Sequence, residues 1–314
     1  MKTHLNILNT VAEYQEYSAS TSYSKPNVTY VRENKVLYYD YGNNRPEADF
    51  SKYKGEFAEI AEGGNTWFKS AIISVNYIPS GVTSLKDTFN ECRSLVNVSE
   101  IPSGVTNMEG TFSYCESLIN APAIPSGVTN MKRTFYHCTS LTEAPAIPSG
   151  VTNMTSTFLG CSSLVNAPAI PSGVTDMQFT FCDCYSLVNA PVIPSGVTNM
   201  SWALEYCTSL ITAPEIPSSV TKMQCTFHGC SKLVNVPPIP SGVTDVIWAF
   251  YGCNSLKTVT FLATTPQGYY DTLLDCPALE SIYVPDESLE DYRTATGWSE
   301  FADKIKPLSS KPIE

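Results

Sequence analysis

The dipeptide Ile-Pro recurs at Ile78, Ile101, Ile124, Ile147, Ile170, Ile193, Ile216 and Ile239, a constant step of 23 residues with no insertion. Cysteine keeps the same step, from Cys92 through Cys115, Cys138, Cys161, Cys184, Cys207, Cys230 and Cys253 to Cys276. A unit this short cannot enclose an apolar core of its own. A strict period in this range therefore implies a repeat solenoid, in which each coil buries its apolar face against the next. The spacing predicts nine coils of 23 residues, the ninth degenerate.

Within the coil that runs from Ile124, the apolar columns are Val128, Met131, Phe135, Cys138, Leu141, Ala144 and Ile147, all expected to face inward. Neither a helical nor a strand period holds across the whole unit, which suits short extended runs joined by turns. Pro-Ser-Gly marks one corner. Phe and Cys three apart mark another, with the spacing of a single helical or 3₁₀ turn. Val-Thr-x-Met carries β-favouring residues and is the best strand, stacking on its copies at about 4.8 Å per coil. Leu-x-x-Ala-Pro is the weaker one, because a proline column removes one ladder donor per coil.

These columns, Val-Thr-Asn-Met, then Phe-x-x-Cys-x-x-Leu, then an extended run ending near Ile-Pro, resemble the BspA-like (Treponema-type) leucine-rich repeats of bacterial surface proteins over roughly residues 72 to 284. The resemblance implies a leucine-rich-repeat-like stack with short parallel strands, 3₁₀ or helical turns, and a cap at each end. The Ala-Pro pair before Ile-Pro departs from the family, which more often has an apolar-x-apolar strand there. That departure puts the continuity of the usual concave sheet in question.

Four segments follow: an N-terminal extension at 1–54, a capping half-coil at 55–77, the solenoid at 78–284, and a C-terminal helical cap and tail at 285–314. In the first, Thr10 to Tyr17 reads as a short helix, and the runs 27–31 and 36–40 read as a β-hairpin. This segment resembles the openings of proteins from gut Bacteroidales and their phages. Trp67, Phe68, Ile72 and Val75 look like a partial coil sealing an open end. At the other end, Leu279 to Pro285 reads as a final strand, and Asp286 as the cap of a helix with Leu289 and Tyr292 inward and Gly297 as its stop. The cap is expected to end near Pro307, with a frayed tail beyond.

Thirty acidic against nineteen basic residues give a net charge of -11, with no basic run to track phosphates, which argues against nucleic acid as a partner. No apolar run approaches the length of a membrane span. Residues 1–9 do not read as a signal peptide. Nine of the eleven cysteines fill one inward column, where they act as small buried hydrophobes. Cys182 and Cys225 lie off that column and are expected to be surface thiols. Cys182-x-Cys184 is too sparse for a zinc site without partners, and His137 and His228 are four coils apart, so no metal or cofactor is expected.

Recurrent Ser, Thr and Asn read as turn-forming ladders, Asn107, Asn130, Asn153, Asp176, Asn199 and Asp245 among them, rather than as activated nucleophiles. No Ser or Cys has a base and an orienting carboxylate at a recognisable spacing, so catalysis is not expected. What varies from coil to coil is aromatic. Before the Thr-Phe pair stand Phe179, Trp202, Cys225 and Trp248, and after Phe stand Tyr114, Tyr136, His137, Tyr206, His228 and Tyr251. Such rings form a ridge suited to stacking on sugars or entering a protein groove, or else lie down over the solenoid. The candidate ligand-binding residues are therefore Tyr136, His137, Phe179, Trp202, Tyr206, His228, Trp248 and Tyr251. With the family resemblance they imply a non-catalytic binding or adhesion protein that meets an extracellular protein or glycan at the cell surface. The alternative is a fibre or decoration component of a phage virion, docked or self-associating through residues 1–54.

Overall fold

Each coil is a closed circuit of side chains and backbone groups that its neighbours complete. The computed structural model describes residues 82–266 and 271–312, the strand Ile72–Val75, Ile78, and the backbone of four further strands. The expected helix over residues 10–17 and the aromatic pair Trp67 and Phe68 lie outside the described residues. The chain divides into two compact units, residues 1–150 and 151–314.

In the first unit β1 (Thr3–Leu8), β2 (Asn27–Val31), β3 (Val36–Asp40), β4 (Glu47–Asp49), β5 (Ile72–Val75) and β6 (Asn97–Val98) form one sheet in the order β4-β3-β2-β1-β5-β6. β2 and β3 pair antiparallel, from Asn27 opposite Asp40 to Val31 opposite Val36. β1 runs parallel to both β2 and β5, so the N-terminal strands continue the strand column that β5 and β6 begin.

Beyond β6 that column thins to a single bridge, Asn120 with Glu143. In the second unit it is again reduced to bridges, Asn166 with Asn189 and Thr212 with Asn235, until β7 (Thr258–Thr260), β8 (Ser281–Val284) and β9 (Ile305–Pro307) form a parallel three-stranded sheet. Proline explains the thinning. Two residues after the bridged position stand Ser99 in β6's coil, Pro at 122, 145, 168, 191, 214 and 237, then Thr260 and Tyr283. Only where that residue has an N–H do strands of two or more residues form.

Val-Thr-x-Met is not the principal strand that its β-propensity predicts. It contributes one bridged residue per coil, as in Ser84–Asn107–Asn130 of the first unit and Asp176–Asn199–Lys222–Asp245 of the second. The valine N–H is already spent on a turn, Val128 donating to the Pro125 carbonyl at 3.1 Å and Val220 to Pro217 at 3.0 Å. Asn and Asp in the bridged column also accept from the N–H two residues on, 3.0 Å at Asn107 and 2.8 Å at Asp176, the turn-satisfying role expected of them.

The core is a set of columns. Val128, Met131, Phe135, Cys138 and Leu141 are fully buried, whereas Ala144 and Ile147, expected inside, are only half-buried. Phenylalanines stack nearly parallel, Phe89 on Phe112 and Phe112 on Phe135 with centroids 5.7 and 5.6 Å apart, and Phe158 on Phe181 at 5.5 Å. Thiols of the cysteine column point at a carbonyl of the preceding coil, Cys138 to Phe112 and Cys253 to Phe227 at 3.1 Å, and Cys230 to Leu204 at 3.1 Å. The thiol is small enough for the column and donates weakly to a carbonyl that would otherwise be under-satisfied. Threonine does the same beside it, the Thr134 hydroxyl lying 2.8 Å from the carbonyls of both Met131 and Met108. No disulfide joins any of the eleven cysteines.

The Phe-x-x-Cys corner closes by an i to i+3 bond, Cys138 N–H to Phe135 O at 3.1 Å. Two residues in each coil sit in the left-handed region: Asp87 and Glu91, Arg133 and His137, Trp202 and Tyr206 among them, with φ between 51° and 64°. The N–H groups of Asp87, Glu91, Trp202 and Tyr206 donate to the next coil, Trp202 to Gln224 at 2.8 Å and Tyr206 to His228 at 2.7 Å. The left-handed turn aims these donors along the stack.

At the end of the second unit the helix α1 is Leu289–Thr294, shorter than expected. Asp286 is not its cap: the Oδ1 atom accepts the Ser309 N–H at 3.0 Å instead. Tyr292 is buried, its hydroxyl donating to the Ala263 carbonyl at 3.0 Å, and Trp298 meets Phe261 and Tyr292 edge-on. The expected frayed tail is held as well. Lys311 reaches the Thr260 hydroxyl at 3.2 Å and covers the Tyr283 ring. Among the described residues no helix is long and apolar enough to cross a membrane.

Candidate functional site

The two left-handed positions and the residue just before the second of them carry every aromatic residue expected at the site. The corner backbone is fixed by inter-coil hydrogen bonds whatever side chain it bears, so large rings can stand there. Phe179, Trp202 and Trp248 occupy the first left-handed position with φ of 57°, 56° and 52°, and His137 and Tyr206 the second, both at 55°. Tyr136, His228 and Tyr251 immediately precede the second position in their coils.

These rings fall into separate groups. In the first unit Tyr114 and His137 lie parallel with centroids 5.1 Å apart, and Tyr136 meets His137 edge-on at 4.5 Å. Arg93 covers Tyr114 at 5.6 Å and Arg133 covers Tyr136 at 5.4 Å, while Arg93 also pairs with Glu116. The cations lie over ring faces that a sugar would need, so this group is the more occupied by its own protein.

In the second unit Phe179 stacks on Trp202 at 4.8 Å with ring planes 16° apart. Trp248 is the most exposed of the candidates at 42% and donates its indole N–H to Asp271 at 3.4 Å. Tyr206, His228 and Tyr251 form a third group. His228 lies 4.8 Å from Tyr206 and 5.1 Å from Tyr251, meeting the latter at 88°. Together they line a cleft of about 800 Å³ whose other walls include Asn254, Asp275, Glu300 and Phe301. Asp275 accepts a hydrogen bond from the Tyr251 hydroxyl and so pushes the pKa of that phenol up, which keeps it protonated and available as a donor. Burial pushes Tyr206 in the same direction.

Cys182 and Cys225 are not surface thiols. They are 5% and 2% exposed. The Cys182 thiol donates to Glu205 at 3.4 Å and lies 3.6 Å from Asp183. Burial, followed by the Glu205 and Asp245 carboxylates, pushes the Cys225 thiol up to about 12. Glu205 itself was not a candidate from sequence, yet it joins these thiols to His228, with Oε1 2.8 Å from Nδ1. The signal was present: Cys182, Glu205, His228 and Tyr251 stand at one phase in successive repeats. A second overlooked feature is an apolar column beside the strand bridges, with Val165, Val188 and Ile211 exposed at 41%, 40% and 49%.

The family model of the BspA type leucine rich repeat region matches residues 63–187, 157–280 and 226–296, with six copies, and so covers well over half of the chain. Among solved structures, the chain is similar to a leucine rich cell surface protein from Faecalibacterium prausnitzii, at 24% identity and a TM-score of 0.44, covering 73% of this chain and 77% of that one. It is similar also to a leucine rich repeat protein of T. pallidum, at 24% identity and a TM-score of 0.40, over 45% of this chain and 66% of that one. A leucine-rich repeat protein from Bacteroides ovatus matches at 18% identity and a TM-score of 0.39, over 91% of this chain and 99% of that one. No curated protein matches the sequence.

Proposed function

The chain belongs to the BspA-type leucine-rich repeat family, and we propose that it is a non-catalytic binding module that meets an extracellular protein or glycan through the aromatic edge of its second unit. The observation that carries this reading is the cleft of about 800 Å³ lined by Tyr206, His228 and Tyr251. Its chemistry is that of a carbohydrate or polar peptide subsite: flat rings for an apolar face, with Asn254, Asp275 and Glu300 to accept hydroxyl or amide donors. Trp248 and the Phe179–Trp202 stack extend the edge beyond it. Rings already ordered by one another lose little side-chain freedom when a ligand arrives.

The test is a screen of the purified chain against immobilised glycans and extracellular matrix proteins, repeated with Tyr251→Ala and Trp248→Ala. A ligand whose retention falls by about tenfold or more in Tyr251→Ala, with thermal stability unchanged, supports the reading. Ligands retained equally by wild type and both variants overturn it.

A further inference from the structure

Three metal-binding chemistries converge beside the aromatic edge. A carboxylate oxygen of Glu205, the Sγ of Cys225 and a ring nitrogen of His228 all lie within 4.8 Å of one another. They come from two columns of the repeat, so the stacking of two successive coils assembles them. The place is sheltered, with the Glu205 and His228 side chains 14% and 20% exposed and Cys225 buried.

We propose that Glu205, Cys225 and His228 bind a zinc-class divalent cation. Bonds of about 2.0–2.3 Å in a tetrahedron place neighbouring donor atoms roughly 3.3–3.8 Å apart. Donors within 4.8 Å reach that spacing by small side-chain rotations. Thiolate, imidazole and carboxylate together suit zinc, whereas magnesium and calcium call for oxygen donors alone.

Outer partners are already in place. The Tyr206 hydroxyl stands 3.5 Å from His228 Nε2, which leaves Nδ1, the nitrogen beside Glu205, for the ion. Trp202 hydrogen-bonds the Cys225 side chain from the other column. Such contacts orient ligands before the metal arrives. Cys182, in contact with the second Glu205 oxygen at 3.4 Å, stands nearest to supply a fourth donor. Charge agrees, since Asp183 and Asp245 add negative field at the two thiols. A cation relieves that field and replaces the proton that Cys225 must release to bind. The site shares His228 with the cleft wall, but its test needs no cleft ligand.

The full-length protein, stripped with a chelator, is titrated with Zn²⁺ by calorimetry and with Co²⁺ by absorption. The expected result is one equivalent of Zn²⁺ and, with Co²⁺, a thiolate-to-cobalt charge-transfer band that loses about half or more of its intensity in Cys225→Ser. His228→Gln and Glu205→Gln should weaken Zn²⁺ binding by about tenfold or more, while a change at the exposed Val192, Val192→Ala, leaves it unchanged. His228 is partly exposed, so its variant keeps the test decisive if Cys225→Ser is unstable. Absence of stoichiometric Zn²⁺ binding overturns the proposal. So does a charge-transfer band of undiminished intensity in a folded Cys225→Ser, or Zn²⁺ affinity that is unmoved in both His228→Gln and Glu205→Gln.

Discussion

Ser99 donates its backbone N–H to the Val75 carbonyl at 2.7 Å, and this is the bond that proline removes from the six coils that follow. Ser99→Pro should therefore unpair β5 from β6 and weaken the junction between the N-terminal strands and the coils. The expected loss is about 1–3 kcal/mol, measured as a lower urea midpoint, with early amide exchange confined to residues 72–75 and 97–99.

The core phenylalanines and the edge tryptophans should answer differently to truncation. Phe135 is fully buried and stacked on Phe112, so Phe135→Ala should cost about 3–5 kcal/mol. Trp248 is 42% exposed and holds one long hydrogen bond, so Trp248→Ala should cost less than about 1 kcal/mol. Paired chemical denaturation of the two variants checks the contrast, and equal losses would mean that Trp248 belongs to the core.

Gly229 sits at φ +70°, and a Cβ there would lie 2.3 Å from the Tyr206 ring. Gly229→Ala should cost about 1–2 kcal/mol for the left-handed backbone and displace Tyr206 from the cleft wall. The Tyr206 ring resonances, shifted by His228 in the wild type, report the displacement, and urea melts report the cost.

The buried thiols should make the fold sensitive to alkali. Burial is the first cause that pushes Cys115, Cys138 and Cys253 well above the ordinary thiol value, and Cys276 up to about 11. Unfolded thiols ionise near pH 8.5. Below that pH both states keep the proton and the stability is whole. Above it the unfolded chain releases protons that the folded chain retains, so stability falls as pH rises toward the folded values. The slope is about 1.4 kcal/mol per pH unit for each such thiol. Urea midpoints at pH 7 and pH 9.5 measure the loss, and Cys138→Ala should make it shallower.

The repeat was readable because a period of 23 residues repeats every inward side chain, and Val, Met, Phe, Cys and Leu had no other place to go. Strand placement was less readable. Propensity favoured Val-Thr-x-Met, but a valine N–H committed to a turn with Pro125 cannot join a ladder. The aromatic columns could be named, yet their backbone state could not, because Trp and Phe at positive φ contradict local preference and are held there by neighbouring coils. Cys182 and Cys225 were misplaced outward because they broke the cysteine column. Reading down their own columns, instead of along the chain, puts Cys182 one coil from Glu205, and Glu205 one coil from His228.

One backbone state, φ between 47° and 60°, holds Asp87, Gly110, Arg133, Ser156, Phe179, Trp202, Cys225, Trp248 and Asp271 alike. Charge, size and even the presence of a side chain leave it unaltered. The corner thus behaves as an interchangeable cassette mount: the stack dictates the posture, and the residue dictates only the message. Recognition can then be rewritten one letter at a time, and whole coils transplanted, without renegotiating the scaffold beneath.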